Sequence, residues 1–202
     1  MKIRDIHVHK FRNHSQTDAV FGEGVNALLG QNGEGKTNLL EAISYLCLTK
    51  SFFGSGDGVV LKIGEERFEV SGELEGDTGI KYNIAVAYDH PEKEKKFFIN
   101  RTRVERFADV VGQFPVVVLS PDSAAITAGG PVDRRRFLDF VISQGSKVYL
   151  EDLLEYRRVL RQRNKVLFDS RVSRTDAGDL LEPWNDELVD RGSRIVHRRH
   201  VF

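Results

Sequence analysis

Gly30-Gln31-Asn32-Gly33-Glu34-Gly35-Lys36-Thr37 fits the pattern G-x-x-x-x-G-K-[ST], the signature of a phosphate-binding loop. A polyphosphate has to be wrapped at close range by backbone N–H groups. Glycine permits this because it lacks Cβ and tolerates positive φ. In such a loop Lys36 would reach the terminal phosphates, and the Thr37 hydroxyl would ligand Mg²⁺. The loop should open a helix whose N-terminal dipole faces the anion. The flanks agree. Upstream, Gly24-Val25-Asn26-Ala27-Leu28-Leu29 reads as a short buried strand, and downstream Leu39, Leu40, Ile43, Leu46 and Cys47 recur at helical spacing. Strand, glycine loop and helix in that order predict an α/β fold.

The rest of the composition sets bounds. With 202 residues, 40% hydrophobic and 30% charged, the chain is sized for one large domain or one and a half, of ordinary globular make-up. No apolar run approaches the ~20 residues of a membrane helix. The N-terminus, Met1-Lys2-Ile3-Arg4-Asp5, has no apolar signal region. Cys47 is the only cysteine, which rules out an internal disulfide. Its place on the helix stripe makes it a buried structural thiol. These features fit a cytoplasmic protein with no membrane contact. Net charge is zero, yet residues 131–202 hold 15 Lys+Arg against 12 Asp+Glu, leaving 15 against 18 in residues 1–130. That bias is weak support for a polyanionic partner of the second part.

Working outward, residues 2–9 alternate as a strand at or near a sheet edge. His7 and His9 share one face of it, and without a third ligand nearby they read as solvated. Phe11-Arg12-Asn13-His14 ends the strand with polar groups able to reach a nucleotide. Ser51 to Gly58 is a flexible turn. Residues 59–100 form an antiparallel meander with one wet face, built on Phe68, Val70 and Leu74, on Ile80 to Tyr88, and on Lys96 to Asn100. Arg101 to Gly112 is expected to be a short helix. Pro115-Val116-Val117-Val118-Leu119 is a continuous apolar run, the mark of a strand buried in a parallel sheet, with Ser120-Pro121-Asp122 at its carboxyl end. From Gly129-Gly130-Pro131 onward the patterns are helical. One helix spans 132–144 with Phe137, Phe140 and Val141 inward, one spans 149–168 along Leu153, Tyr156, Leu160 and Leu167, and one spans 183–199. Residues 170–179 are polar and expected to be mobile. The domain division is therefore 1–130, a nucleotide-binding lobe, and 131–202, a helical lobe.

These residues resemble the RecF family. The resemblance is carried by Phe11-Arg12-Asn13, the loop from Gly30 to Thr37 with Asn38-Leu39-Leu40-Glu41-Ala42-Ile43, and Asn100-Arg101-Thr102. It continues through Leu119-Ser120-Pro121-Asp122, Gly130-Pro131 with Arg134 to Asp139, and Tyr156 through Arg161-Gln162-Arg163-Asn164. The blocks run through residues 3–165 in the family's order. The resemblance implies an ABC-type ATPase head like those of SMC and Rad50 proteins, with a mixed sheet followed by a helical second lobe. It implies ATP and Mg²⁺ as cofactors, binding to gapped or duplex DNA, RecO and RecR as partners, and help in loading the recombinase. Full-length members associate with themselves in an ATP-dependent way. The nucleotide-binding candidates are Gly30, Gln31, Asn32, Gly33, Glu34, Gly35, Lys36, Thr37 and Asn38 with Arg12 and Asn13, and Thr37 is the metal candidate. The DNA-binding candidates are Arg134, Arg135, Arg136, Arg157, Arg158 and Arg161. Arginine suits phosphate, but these side chains also read as solvated helix faces paired with neighbouring acids.

The sequence departs from the family in length. RecF proteins continue for a further domain-sized stretch, which brings the ABC signature and the Walker B strand. Neither is found here, so the chain is expected to be a truncated N-terminal portion and no catalytic residue is assigned. Weak DNA-dependent ATPase activity is implied by the family rather than by these residues. Two rival readings stay open. One is a P-loop kinase acting on a small molecule, against which the long meander argues. The other is an interaction module without useful nucleotide affinity.

Overall fold

A computed structural model of the chain describes residues 1–120, 123, 125–174 and 178–202. It divides into two compact units, Met1–Val118 and Leu119–Phe202.

The first unit is an antiparallel sheet with one helix packed on it. Its strands are β1 (Lys2–Ile3), β2 (Asp5–Phe11), β3 (His14–Val20), β4 (Arg67–Glu75), β5 (Lys81–Asp89), β6 (Glu94–Ile99) and β7 (Thr102–Arg103). Their order is β3-β2-β4-β5-β6-β7, and β1 pairs with β4 off this path. The alternation seen in the sequence places Ile6, Val8, Phe68, Val70, Leu74, Ile84, Val86 and Phe97 on the buried face. Helix α1 (Lys36–Leu48) covers that face with Leu39, Ala42, Tyr45 and Leu46. At the centre Phe11, Tyr45 and Phe68 meet edge to face, with centroids 5.3–5.4 Å apart, the geometry favoured by ring quadrupoles. Cys47 lies in the same core, and burial pushes its thiol pKa up to about 12.

The expected meander is present, while four other expectations for this unit are corrected. The segment Gly24–Leu29 forms no strand among the described residues, and Val25 and Leu29 are 98% and 89% exposed. Pro115–Leu119 likewise carries no strand, with Val117 88% exposed. Every ladder among the described residues is antiparallel. An apolar run records what a segment gains by burial, but a strand also needs a ladder, and among the described residues neither run belongs to one. Third, residues 101–112 are not a helix. Asn100 and Arg101 take left-handed φ of 49° and 68°, a tight turn of the kind that closes hairpins, into β7, and only a short 3-10 turn follows at Phe107–Asp109. Fourth, Ser51–Gly58 is pinned rather than loose. Ser51 Oγ donates to Glu41 at 2.5 Å, Ser55 Oγ accepts from Arg12 at 3.1 Å, and Asp57 pairs with Lys95 at 2.8 Å and with the Tyr45 hydroxyl at 3.1 Å.

The second unit is helical, with α2 (Ala125–Ala128), α3 (Pro131–Gly145), α4 (Lys147–Ser173) and α5 (Gly178–Val201). Pro131 sits in the first turn of α3, where its missing N–H costs nothing, and Asp133 accepts from Gly130 N–H at 3.2 Å. Ser146 caps α4 by accepting from Tyr149 N–H at 3.3 Å. Ile142, Tyr149, Leu153 and Ile195 form the core, with Leu138 and Tyr156 against it. The inward stripe of α3 differs from the expected one. Asp139, Ile142 and Ser143 are buried, whereas Phe137 is 39% exposed. The charge pattern misleads because Asp139 is neutralised inside. Its carboxylate accepts from the Tyr149 hydroxyl at 2.5 Å and from Arg199 at 2.8 and 2.9 Å. Buried Asp152 receives Arg191 at 2.7 Å in the same manner. Of residues 170–179, expected to be mobile, 170–173 continue α4 and 178–179 open α5, while 175–177 lie outside the described residues. No helix among the described residues is long and apolar enough to cross a membrane.

Candidate nucleotide-binding site

The loop 30–37 runs directly into α1. Gly30, Gly33 and Gly35 hold φ of 150°, 88° and 98°, values that a side chain would strain. Gly35 is the residue before α1 and brings no side-chain cap, so the first turn of the helix is not capped by a carboxylate or hydroxyl. The Lys36 ammonium folds back and donates to the carbonyls of Gly30 at 2.7 Å and Gln31 at 2.6 Å. The Glu34 carboxylate accepts from Gln31 N–H at 2.8 Å. Asn32 is exposed within the loop, and Thr37 is exposed in the first turn of α1. The loop thus presents a glycine backbone, one cation and one hydroxyl at a helix N-terminus. This is a donor set suited to a polyphosphate and its metal. No cluster of three or more His, Cys, Asp or Glu side chains able to hold a metal occurs among the described residues. Within the loop, Thr37 is the side chain that would ligand a divalent ion beside the phosphates.

The turn between β2 and β3 lies against this loop. Asn13 Nδ2 donates to Gly33 O at 3.0 Å, and Asn38 Nδ2 donates to Asn13 Oδ1 at 2.8 Å. His14 Nε2 is 3.1 Å from Gly35 O. Arg12, φ 54°, forks onto Glu41 with two bonds of 2.7 Å and also donates to Val59 O at 3.1 Å. Glu41 is fully buried, and this pairing holds the Arg12 guanidinium above its usual pKa. Arg12 and Asn13, expected to touch nucleotide, are thus found bonded to α1 and to the loop. His14, expected with Arg12 and Asn13 to reach a nucleotide, is likewise found against the loop backbone. Sequence reasoning gives no role at this site to Glu41, because a glutamate on a helix carries no signal until the hairpin brings Arg12 to it.

The six arginines assigned to DNA have unequal freedom. Arg134 donates to Thr127 O at 3.4 Å, Arg136 lies 3.8 Å from Asp133, and Arg157 lies 3.5 Å from Asp139. Arg158 forks onto Glu155 at 2.9 and 3.0 Å. Arg135 and Arg161 are exposed and have no ion pair among the described residues.

With this geometry in view, residues 1–169 match the family model described as an AAA ATPase domain, and the chain belongs to that family. Within it, the resemblance is to the N-terminal portion of RecF. The chain is 42% identical over 203 residues to the DNA replication and repair protein RecF of Salinibacter ruber, covering 100% of this chain and 49% of that protein. It is 46% identical over 204 residues to RecF of Chloroherpeton thalassium, covering 100% and 54%. It therefore spans about half the length of the curated relatives it matches. A solved structure of the recombination mediator protein RecF–ATP in the RecFOR pathway superposes with a TM-score of 0.91 at 34% identity, covering 98% of this chain and 52% of that one. A structure from work on ATP-driven dimerization and DNA-stimulated activation of SMC ATPases covers 69% of this chain and 98% of that one, at 20% identity and a TM-score of 0.55. That likeness is one of fold.

Proposed function

We propose that this chain is the ATP-binding portion of a RecF-type DNA repair protein, working in the cytoplasm. The observation that carries the reading is the loop itself: three left-handed glycines and an inward-drawn Lys36 at the head of α1. In this reading the backbone of residues 30–37 wraps the phosphates, and Lys36 leaves the Gly30 and Gln31 carbonyls to balance their charge. Thr37 supplies one ligand to Mg²⁺, and the ion neutralises phosphate charge. Arg12, Asn13 and Asn38 brace the site from the hairpin and the first turn of the helix. We place this role in residues 1–130 and DNA contact in the helices from 131 onward. Gapped or duplex DNA, RecO- and RecR-type proteins, and a second copy in an ATP-dependent association are the partners that follow. The likeness to RecF proteins, which runs the whole of this chain and about half of theirs, supports all three.

Thermal melting with Mg-ATP is the test. A ligand at ~100 times its dissociation constant adds roughly 2.7 kcal/mol. The parent should show that stabilisation and Lys36→Ala should not. Equal stabilisation of both would remove the assignment.

A further inference from the structure

We infer that Asn13 and His14, at the β2–β3 turn, are positioning residues that aim two backbone amides of the loop, those of Glu34 and Lys36, into the phosphate cradle. The inference rests on the reading of the loop as a nucleotide site and gives Asn13 a role through the loop rather than on the ligand.

The argument starts from the peptide plane. A trans peptide is flat, so the carbonyl of one residue and the N–H of the next point in opposite directions. Fixing the first therefore fixes the second. Asn13 Nδ2 holds Gly33 O at 3.0 Å, and that carbonyl shares its plane with the Glu34 amide. His14 Nε2 holds Gly35 O at 3.1 Å, and that carbonyl shares its plane with the Lys36 amide. Both carbonyls are drawn toward the hairpin, so both amides face away from it, and without nucleotide the Glu34 amide donates across the loop to Gln31 O at 3.4 Å, a long bond that a phosphate oxygen would replace.

The donors follow from the acceptors. A carbonyl oxygen only accepts, so Asn13 presents its NH₂ to Gly33, and its Oδ1 is left to accept from Asn38 Nδ2 at 2.8 Å. By the same reasoning His14 carries a hydrogen on Nε2, while its Nδ1 faces Thr17 Oγ1 at 2.8 Å. Each side chain is therefore committed at both ends.

A restraint is needed here because of the glycines. Gly33 and Gly35 are the residues whose dihedrals turn most freely, and the two peptide planes begin at them. The Gly33 carbonyl takes its restraint from Asn13, while the Gly35 carbonyl accepts the first backbone bond of α1, from Leu39 N–H at 2.9 Å, and His14 adds a second donor that ties that plane to the hairpin. The fit is tight. A Cβ on Gly35 would stand 2.5 Å from Asn13 Oδ1 and 2.6 Å from His14 Nε2, so only glycine lets the hairpin approach this closely. The turn is itself fixed to its surroundings. Arg12 N–H donates to Val60 O at 2.7 Å, Lys62 Nζ donates to Asn13 O at 3.1 Å, and Arg12 forks onto Glu41. Rigidity passes from sheet to turn to loop.

The experiment is peptide-resolved hydrogen exchange on the nucleotide-free 202-residue chain, followed by Mg-ATP titration of each variant. Asn13→Ala and His14→Phe should raise exchange over residues 30–37 and weaken Mg-ATP binding, each by about fivefold, the usual effect of one hydrogen bond. Exchange in strands 67–75 and 81–89 should stay as in the parent, which controls for folding. His14→Gln, whose amide nitrogen can stand where Nε2 stands, should restore both readouts. Unchanged loop exchange in Asn13→Ala and His14→Phe overturns the proposal whatever the nucleotide does. Faster loop exchange with parent-like affinity overturns it as well. Failure of the parent chain to bind Mg-ATP refutes the underlying nucleotide reading and is told apart by the parent titration alone.

Discussion

Glu41 shows what single residues do in this site. Its carboxylate is fully buried, and it is answered by the Arg12 fork and the Ser51 hydroxyl. Removing one partner of a buried pair leaves an uncompensated charge, which costs more than the pair itself contributes. Arg12→Ala is therefore expected to destabilise the chain by about 3 kcal/mol, measured by urea unfolding. Adding Glu41→Gln to it should recover part of the loss. A loss under about 0.5 kcal/mol, the level of a surface pair, would show that solvent reaches Glu41. Lys36 should behave in the opposite way. Its ammonium bonds only exposed loop carbonyls, so Lys36→Ala should leave folding stability within roughly 0.5 kcal/mol of the parent while removing nucleotide binding. Cys47 should stay unreactive toward thiol reagents at about pH 8 in the folded chain and react on unfolding, because its pKa is raised to about 12 by burial.

At the scale of elements, the helices pose two tests. Burial, and then the Asp139 bond, push the Tyr149 phenol up to about 12 from an ordinary 10. A folded-state pKa above the unfolded one means that the unfolded chain loses its proton first. The contribution is whole below pH 10, falls through the window from 10 to 12, and is gone above it. Melting temperature against pH should slope downward there, and Tyr149→Phe should flatten the slope. The second test concerns DNA. Arg158 is already neutralised by Glu155, so charge reversal at Arg135 and Arg161 should weaken duplex binding more than Arg158→Glu does. It should also reduce the salt slope by close to one for each phosphate that is no longer neutralised. Affinity and slope indifferent to all three would make these faces solvated surface. The same elements show where the sequence is readable. Strands β4 and β5 announce themselves by alternation, since each has one buried face and one wetter face, and α1 announces itself by the apolar residues that follow the glycine loop. Strand β3 does not, because His14–Val20 is an edge strand with a mostly polar sequence and one neighbour. Its pairing comes from the turn at Arg12 and Asn13 rather than from its own pattern. The loop is legible because glycine and lysine spacing is local. The brace of Asn13 and His14 is not, since it is made by a hairpin that folds back on a loop some twenty residues further along the chain.

For the molecule as a whole, the described residues hold a phosphate loop, its helix and its bracing hairpin. The catalytic groups of hydrolysis are not found in the sequence. Phosphoryl transfer is catalysed by positioning and by charge, and it needs carboxylates to hold the metal shell and orient water. The one apolar run that ends beside a carboxylate, Val116–Leu119, leads to Asp122, which lies outside the described residues. Steady-state turnover by the 202-residue chain, with and without DNA, is expected to be negligible. Turnover that depends on Lys36 would assign a catalytic carboxylate, with Asp122 the first to replace. All of this presupposes that the loop holds nucleotide, and calorimetric titration of Mg-ATP into the chain measures that directly. One saturable site per chain in the parent and no saturable heat in Lys36→Ala is the result predicted. No saturable heat in the parent, or the same isotherm in both, would contradict it.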